Sequence, residues 1–125
     1  MRLTPKEKAI LYNLMHKIVR LRDKEACLRC GNTENLQLSH IYPRGTYKRL
    51  EFDPDNVKLL CLKDHLFWWH RNPIEAKNWI ETVISKKRLE KLKLRSLSRD
   101  KWSMDYKLTR LDLENELKKY DTRFP

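Results

Sequence analysis

Residues 27–70 read CLRCGNTENLQLSHIYPRGTYKRLEFDPDNVKLLCLKDHLFWWH, and the main predictions from the sequence rest on this segment. It holds all three cysteines of the 125-residue chain and three of its four histidines. These are the side chains that bind transition metals and move protons near neutral pH. Because they are concentrated in about a third of the chain, we expect the chemistry of the protein here and scaffold elsewhere.

Cys27 and Cys30 form a pair separated by two residues and followed by Gly31. Two thiolates at this spacing can bind one metal ion, and the glycine permits the turn that their amides require. Cys61 offers a third thiolate, and Asp64, three residues on, offers a carboxylate. The sequence therefore predicts a four-coordinate structural zinc site formed by Cys27, Cys30, Cys61 and Asp64. Two alternatives stay open: Asp64 caps a helix, or the cysteines are small buried hydrophobic residues without a metal.

The cysteine count also indicates the compartment. An odd number argues against a disulfide framework and fits thiolate metal ligands in a reducing environment. The N-terminus shows no signal-peptide pattern, and no stretch approaches the length and apolar character of a membrane span. We therefore expect a cytoplasmic protein that does not contact a membrane.

Local patterns around the cysteines predict two strands and a helix. Residues 36–41 mix apolar and polar side chains as a short strand does, and residues 57–60 suggest its antiparallel partner. The long, turn-rich connection between them is expected to be a functional loop. A helix is expected over residues 61–70 and should end before Pro73. Its tryptophans are interpreted as core, because a base-stacking platform would need an exposed ring.

Further helices are expected on both sides of this centre. Residues 4–7 (Thr-Pro-Lys-Glu) form a capping box with proline at the first helical position, so a helix should start there and fade near Arg22. His16 adjoins its apolar stripe and is interpreted as a partly exposed residue without a catalytic role. Phe124 and Pro125 should fray. The remaining helices are expected over residues 73–84, 85–98 and about 100–120. The apolar side chains expected to pack from the last two are Leu89, Leu92, Leu97, Trp102, Leu108, Leu111 and Leu117.

The charge balance favours a polyanionic partner. The chain carries 28 basic and 17 acidic residues, a net charge of +11 and a pI near 9.7. Residues 26–84 are nearly balanced, with 8 basic and 7 acidic side chains, whereas residues 85–125 carry 13 and 7. DNA is therefore the expected partner, although a lysine-rich surface can also serve solubility alone. The residues predicted to contact DNA are Arg44, Lys48, Lys86, Lys87, Arg88 and Lys91.

The order His40, then Asn56 sixteen residues on, then His65 nine residues later resembles the His-Asn-His (HNH) endonuclease motif. The cysteine pair and Cys61 are similar to the zinc-stapled branch of that family, apart from Asp64. The match covers residues 27–70. The Ser-His-Ile and Arg-Gly-Thr-Tyr stretches within it are also similar to phage recombination endonucleases of the Rap type. The resemblance implies a ββα-metal fold, in which two strands and a helix hold a divalent ion.

The resemblance also implies a role for each residue. His40 would be the general base that takes a proton from water. Asn56 would hold the loop backbone or the imidazole, so that the ring points at the phosphate. His65 would bind Mg²⁺, Mn²⁺ or another divalent ion that stabilises charge on the phosphate and the leaving oxygen. His70, five residues further on, would be a second helix ligand, with a helix-capping or phosphate-facing histidine as the alternative.

One position departs from the family pattern. Many members place aspartate or histidine directly before the catalytic histidine as a metal ligand, whereas this chain has Ser39. A neutral hydroxyl binds metal weakly, so the ion would rest on His65, His70, a nearby acid such as Asp53 or Asp55, waters and the substrate phosphate. The same departure supports a rival hypothesis, in which the chain is a non-catalytic zinc-knuckle protein that binds nucleic acid.

Together these patterns predict an α+β protein with a zinc-stapled ββα-metal centre, an N-terminal helix and C-terminal helices. A single domain is expected over residues 1–125, with its core motif at 27–70 and a basic helical extension over 73–121. The predicted function is divalent-metal-dependent hydrolysis of DNA by a nicking endonuclease, on branched or recombination DNA if the narrower resemblance holds. The setting would then be the cytoplasm of a bacterial or phage-infected host cell.

Overall fold

The computed structural model describes residues 2–121, so the expectation on Phe124 and Pro125 lies outside the described residues. Residues 2–121 form helices and one small two-stranded sheet. The elements in chain order are α1 (Pro5–Arg22), β1 (Leu36–His40), β2 (Val57–Cys61), α2 (Leu62–Asp64), a π-helical segment (His65–Trp69), α3 (Pro73–Val83), α4 (Lys86–Leu97) and α5 (Tyr106–Tyr120). Two short 3₁₀ turns, Lys48–Leu50 and Pro54–Asn56, lie in the loop between the strands. The predicted α+β class is confirmed.

The first helix begins as its sequence predicts. The Thr4 hydroxyl accepts the Glu7 backbone N–H at 3.1 Å, and the Glu7 carboxylate accepts the Thr4 N–H at 2.9 Å. This exchange satisfies two backbone donors that a helix start leaves without partners. The buried face of α1 consists of Leu11, Met15, Ile18 and Val19.

The two strands form an antiparallel hairpin whose register separates two groups of functional side chains. Leu36 pairs with Cys61 at one end, and His40 pairs with Val57 at the other. The cysteine pair lies beside β2, because the Leu28 N–H donates to the Leu59 carbonyl at 3.0 Å. The hairpin therefore carries a cysteine at its open end and a histidine next to its loop.

Two apolar clusters surround the hairpin. The larger one joins α1, both strands and α5, and it includes Leu113 and Leu117 of the last helix. The smaller one consists of Leu50, Ile80, Ile84 and Leu92 and fixes α3 and α4 against the loop. The C-terminal helices therefore pack against the hairpin and its loop, which carry the predicted site residues. Within residues 2–121, no helix combines the length and apolar character that crossing a membrane requires.

Three details of the helical prediction were wrong. The expected helix over residues 61–70 is a short α-helix followed by a π-helical segment. The last helix starts at Tyr106, because Asp105 caps it by accepting the Leu108 N–H at 3.0 Å. Its buried leucines are therefore Leu113 and Leu117. The side chains expected to pack that are instead exposed are Leu97, Trp102, Leu108 and Leu111.

Candidate metal centre and active-site cleft

The four residues predicted to bind zinc lie together. One ligand atom from each of Cys27, Cys30, Cys61 and Asp64 lies within 4.8 Å of all the others. The Cys30 and Cys61 sulfurs are 3.7 Å apart, and the Cys27 sulfur is 3.2 Å from an Asp64 oxygen. Two sulfur ligands about 2.3 Å from a tetrahedral zinc ion lie about 3.8 Å apart. The cluster, called the staple below, could therefore hold a metal ion such as zinc.

Local backbone geometry shapes the staple. Gly31 adopts φ = +80°, a left-handed conformation that favours glycine, and its N–H donates to the Cys27 carbonyl at 2.9 Å. The Cys27 N–H donates to the Asn32 carbonyl at 2.8 Å, which closes the turn. The two thiols of the pair are therefore brought to the same side as Cys61.

Asp64 faces the cysteines and does not cap a helix through its side chain. The Arg29 guanidinium donates to one of its oxygens at 2.9 Å and packs over the Trp68 ring at 4.0 Å. The other oxygen faces Cys27. Burial raises the pKa of the Asp64 carboxyl, but hydrogen bonds from Cys27, Cys30 and Arg29 outweigh it and lower the pKa overall. Asp64 is thus an anion with one oxygen left for a metal.

The π-helical segment brings His65 and His70 into contact. The His70 N–H donates to the His65 carbonyl at 3.2 Å, an i→i+5 bond that widens the turn. In an α-helix with 3.6 residues per turn, side chains five residues apart would point in different directions. Here their Nε2 atoms are 3.1 Å apart. The wide turn therefore makes the five-residue spacing compatible with one shared ligand.

Ser39 contacts His65 from the opposite side of the ring. Its side chain is fully buried, and its Oγ is 2.7 Å from His65 Nδ1. This hydrogen bond fixes the ring so that Nε2 faces His70. A hydroxyl can donate or accept, so with Nε2 free to bind a metal, Nδ1 donates its proton to Ser39. Burial lowers the pKa of His65, and nearby His70, His40 and Arg44 lower it further.

His40 is held with one nitrogen fixed and the other available. Its Nε2 is 3.0 Å from the Glu51 carbonyl oxygen. Because a carbonyl only accepts, Nε2 carries the proton and Nδ1 is the free acceptor of the neutral ring. Burial lowers the pKa of His40 below the ordinary value of 6.5, and the Glu51 carbonyl offsets only part of this effect. His40 is therefore a neutral imidazole at pH 7, able to take up a proton on Nδ1.

Asn56 holds the loop and does not bond to an imidazole. It is fully buried; its Oδ1 accepts the Tyr42 N–H at 2.8 Å, and its Nδ2 donates to the carbonyls of Tyr42 and Leu50 at 3.1 and 3.0 Å. These bonds join Tyr42, two residues after β1, to the turn before Glu51. Asn56 therefore holds the loop backbone directly beside Glu51, whose carbonyl accepts from His40.

All four histidines of the chain line one cleft of about 880 Å³. His16, which sequence analysis gave no role, enters it from α1, and burial and Arg20 lower its pKa. Arg44 and Lys77 line the cleft as well, and its described lining contains no aspartate or glutamate. Two cationic side chains without a carboxylate beside them in the described lining make this a site suited to an anion.

Arg44 is positioned at the cleft by a short chain of hydrogen bonds. Its guanidinium donates to the Tyr12 hydroxyl at 3.0 Å, and Tyr12 donates to the Glu51 carboxylate. Burial and the bond to Glu51 raise the pKa of Tyr12 to about 12, so the phenol stays protonated. Arg44 therefore keeps its charge while its direction is set by a neutral partner.

The other predicted contacts lie elsewhere. Asp53 is buried, pairs with Arg95 and caps the 3₁₀ turn through the Asp55 N–H, and neither acid lines the cleft. The remaining residues predicted to bind DNA are all exposed and also lie outside the lining: Lys48, Lys86, Lys87, Arg88 and Lys91. Only Arg44 among the predicted DNA contacts therefore lies at the candidate site.

No family model, curated protein or solved structure matches this chain. Its function therefore has to be inferred from the cleft and the staple themselves.

Proposed function

We propose that the protein is a divalent-metal-dependent DNA endonuclease of the HNH type, which hydrolyses phosphodiester bonds. The observation that carries the proposal is the convergence of His40, His65, His70 and Arg44 in one cleft whose described lining holds no acid. A phosphodiester is an anion that needs a proton acceptor for the attacking water and positive charge beside its oxygens. The cleft provides both, and the net charge of +11 favours a polyanionic substrate.

His65 and His70 fit a divalent ion. Two imidazole nitrogens bound at about 2.1 Å and at right angles to each other would lie about 3.0 Å apart, and their Nε2 atoms are 3.1 Å apart. Such an ion supplies positive charge that stabilises the phosphate and the leaving oxygen in the transition state. Because no carboxylate lines the described cleft, waters and the substrate phosphate would complete the ligand set. Nitrogen ligands favour Mn²⁺, Ni²⁺ or Zn²⁺ over Mg²⁺.

His40 is the proposed general base. Its Nδ1 takes a proton from the attacking water, and the resulting imidazolium stays bonded through Nε2–H to the Glu51 carbonyl. Asn56 keeps that carbonyl in position through its own bonds to the loop. Arg44, directed by Tyr12, binds a phosphate oxygen. His40, Asn56 and Arg44 would thus each have one role, and the hydrogen bonds given above orient each side chain for it.

The order of the elements supports the HNH assignment. β1 ends at His40, Asn56 lies directly before β2, and the helical turn after β2 carries His65. By the family resemblance these three positions would supply a general base, a residue that holds the loop and a metal ligand. We further propose that the staple holds zinc and ties the turn at residues 27–30 to the junction of β2 and α2. By family resemblance the products would carry 5′-phosphate and 3′-hydroxyl ends, and a monomer would nick one strand.

A second function has some support. The candidate site offers only two metal-binding nitrogens in contact, and most of the predicted DNA contacts lie on α4, outside the cleft. Both facts would fit a zinc-stapled protein that binds nucleic acid without cutting it. The proposed enzyme explains what this alternative does not, namely why His40 is held with a free acceptor nitrogen beside the His65–His70 pair.

The deciding experiment is a plasmid-nicking assay. Supercoiled plasmid is incubated with the protein and Mn²⁺, Ni²⁺ or Mg²⁺, and parallel samples contain EDTA in excess. We expect nicked circles with Mn²⁺ or Ni²⁺, slower nicking with Mg²⁺, and none with EDTA. Protein that binds DNA but produces no metal-dependent nicks on duplex, single-stranded or branched substrates would favour the non-catalytic alternative.

A further inference from the structure

The cleft is more apolar than phosphate hydrolysis requires. Nine of its sixteen lining residues are apolar or aromatic, and among them Leu38, Tyr42 and Trp69 are only half-buried. A site for a phosphate, an ion and a water needs polar groups only. Apolar surface open to water usually marks a place where a ligand binds. These walls therefore need an occupant with an apolar, flat part.

We propose that the cleft binds one unpaired nucleotide, with its base against the apolar walls and its phosphate beside His65 and Arg44. This inference rests on the proposed nuclease function and names its substrate class, DNA with a single-stranded or unpaired position. At about 880 Å³ the cleft has the size of pockets that enclose small organic ligands, about 300–1,000 Å³. In a duplex the bases are stacked inside and only phosphates and groove edges are accessible, so a paired base could not enter.

Two rings in the cleft are fixed in place, as base stacking requires. Trp69 donates its indole N–H to the His40 carbonyl at 3.3 Å and packs edge-on against Trp79. Tyr42 packs edge-on against Tyr47, with ring centres 5.1 Å apart. Tyr42 lines the cleft and Tyr47 does not. Sites for single-stranded nucleic acid combine such rings with a positively charged path for the backbone.

The charges complete this pattern. Arg44 belongs to the loop after β1 and Lys77 to α3, so cations reach the cleft from two separate elements. Because the described lining has no carboxylate, nothing there repels a phosphate that follows the base into the cleft. The apolar walls and the two cations together favour a nucleotide over a free anion or an apolar molecule.

The first test uses wild-type protein whose staple is loaded with zinc, with no added Mn²⁺, Ni²⁺ or Mg²⁺ and no chelator, so that binding is measured without cleavage. Fluorescence anisotropy would compare a labelled duplex, the same duplex with one extra unpaired thymidine, and a third with an abasic residue at that position. Stacking of one base should tighten binding about tenfold for the unpaired thymidine, and the abasic residue should abolish this gain. Equal affinity for all three would overturn the inference.

The second test asks whether the preference for the unpaired base depends on the Tyr42 ring or only on correct folding. Tyr42→Leu should lose the tenfold preference, and Tyr42→Phe should keep it. Trp102→Leu, which removes an exposed ring outside the cleft, should keep it as the control; circular dichroism would verify folding. A preference that survives Tyr42→Leu, or is lost equally in Trp102→Leu, would overturn the inference. Nicking is measured in a separate assay. A preference for the unpaired base without nicking would contradict the proposed hydrolysis but support the nucleotide pocket. Nicking without that preference would contradict the nucleotide pocket alone.

Discussion

At the scale of single residues, the site depends on side chains that orient other side chains. Ser39 orients His65, the Glu51 carbonyl orients His40, and Asn56 holds that part of the loop. Partners of this kind usually affect metal affinity or rate nearly as much as the ligands themselves. Their roles can therefore be tested one substitution at a time.

Ser39→Ala should weaken metal binding at the candidate site. Without the hydroxyl, Nδ1 of His65 loses its partner and the ring is free to rotate away from His70. Loss of such a supporting hydrogen bond typically costs about 10- to 100-fold in metal affinity. Titration calorimetry with Mn²⁺ on zinc-loaded protein would measure it. A Ser39→Ala protein with wild-type Mn²⁺ affinity would show that the serine does not position the ligand.

The nicking rate should fall in acid through the titration of His40. Burial holds the pKa of this imidazole below 6.5, so Nδ1 is free at pH 7 and becomes protonated only at lower pH. The rate should thus be flat near neutrality and decline below about pH 6.5, with the metal kept saturating. Single-turnover rates between pH 5 and 8 would show this. A decline centred above pH 7 would be inconsistent with a buried, neutral base.

The sequence named the candidate residues, but not the contacts that orient them. The resemblance to the HNH motif brought together His40, Asn56 and His65 as candidates, and their contacts became visible only in the folded chain. The Ser39 contact depends on how the helical turn sits over β1, which no local pattern encodes. Ser39 lies in a strand that mixes apolar and polar side chains, so nothing in the sequence indicated that this serine would be fully buried.

At the scale of elements, the π-helical segment matters most. The sequence predicted one helix over residues 61–70 that ends before Pro73, and nothing in that prediction distinguished a wider turn from an ordinary α-helical one. The single wider turn moves His70 over His65. π-helical turns are frequent at functional sites and cost some helix stability. The five-residue histidine spacing was the one hint, and it is understandable only after the turn type is known.

Helix α4 presents a basic surface whose role can be measured directly. Lys86, Lys87, Arg88 and Lys91 are all exposed, and α4 is fixed to the loop by Leu92. If they contact DNA, changing all four to glutamine should weaken binding of every sequence alike. Each lost phosphate contact should reduce the slope of log K against log salt by about one unit. An unchanged affinity and slope would identify an ordinary solvated helix face.

At the scale of the whole molecule, the staple should decide whether the chain folds. Domains of this size are stable by about 5–15 kcal/mol, and a structural zinc site contributes about 10–16 kcal/mol. Cys30→Ala should therefore largely unfold the protein, while wild type should hold about one zinc per chain. Elemental analysis and thermal unfolding would measure both. Wild-type protein that is folded and active without zinc would contradict the proposed staple.

The cleft itself could not be predicted from the sequence. His16 lies 24 residues before His40 and belongs to α1, and Lys77 belongs to α3. These elements meet only because α5 and the hairpin hold α1, and the smaller apolar cluster holds α3. Tertiary packing of this kind leaves no short-range pattern. The α+β class and the four residues of the staple could be predicted, because each half of the staple lies within four residues of sequence.

The central claim is that the chain cuts DNA with His40 as the base and His65 as a metal ligand. These two roles predict different responses to metal. His65→Ala should lose nicking but recover part of it at high Mn²⁺, because waters and His70 can still hold the ion weakly. His40→Ala should not respond to added Mn²⁺, since its defect lies in proton transfer.

The most direct measurement is the single-turnover nicking rate of His40→Ala at saturating Mn²⁺, with the DNA affinity of the zinc-loaded protein measured alongside without added Mn²⁺ and without a chelator. Loss of a general base commonly lowers a rate by about 10²- to 10⁴-fold. We expect a fall of that size with DNA affinity and zinc content unchanged, and the same fall for His40→Asn, which keeps a donor for the Glu51 carbonyl. A nicking rate for His40→Ala within a few-fold of wild type would contradict the claim.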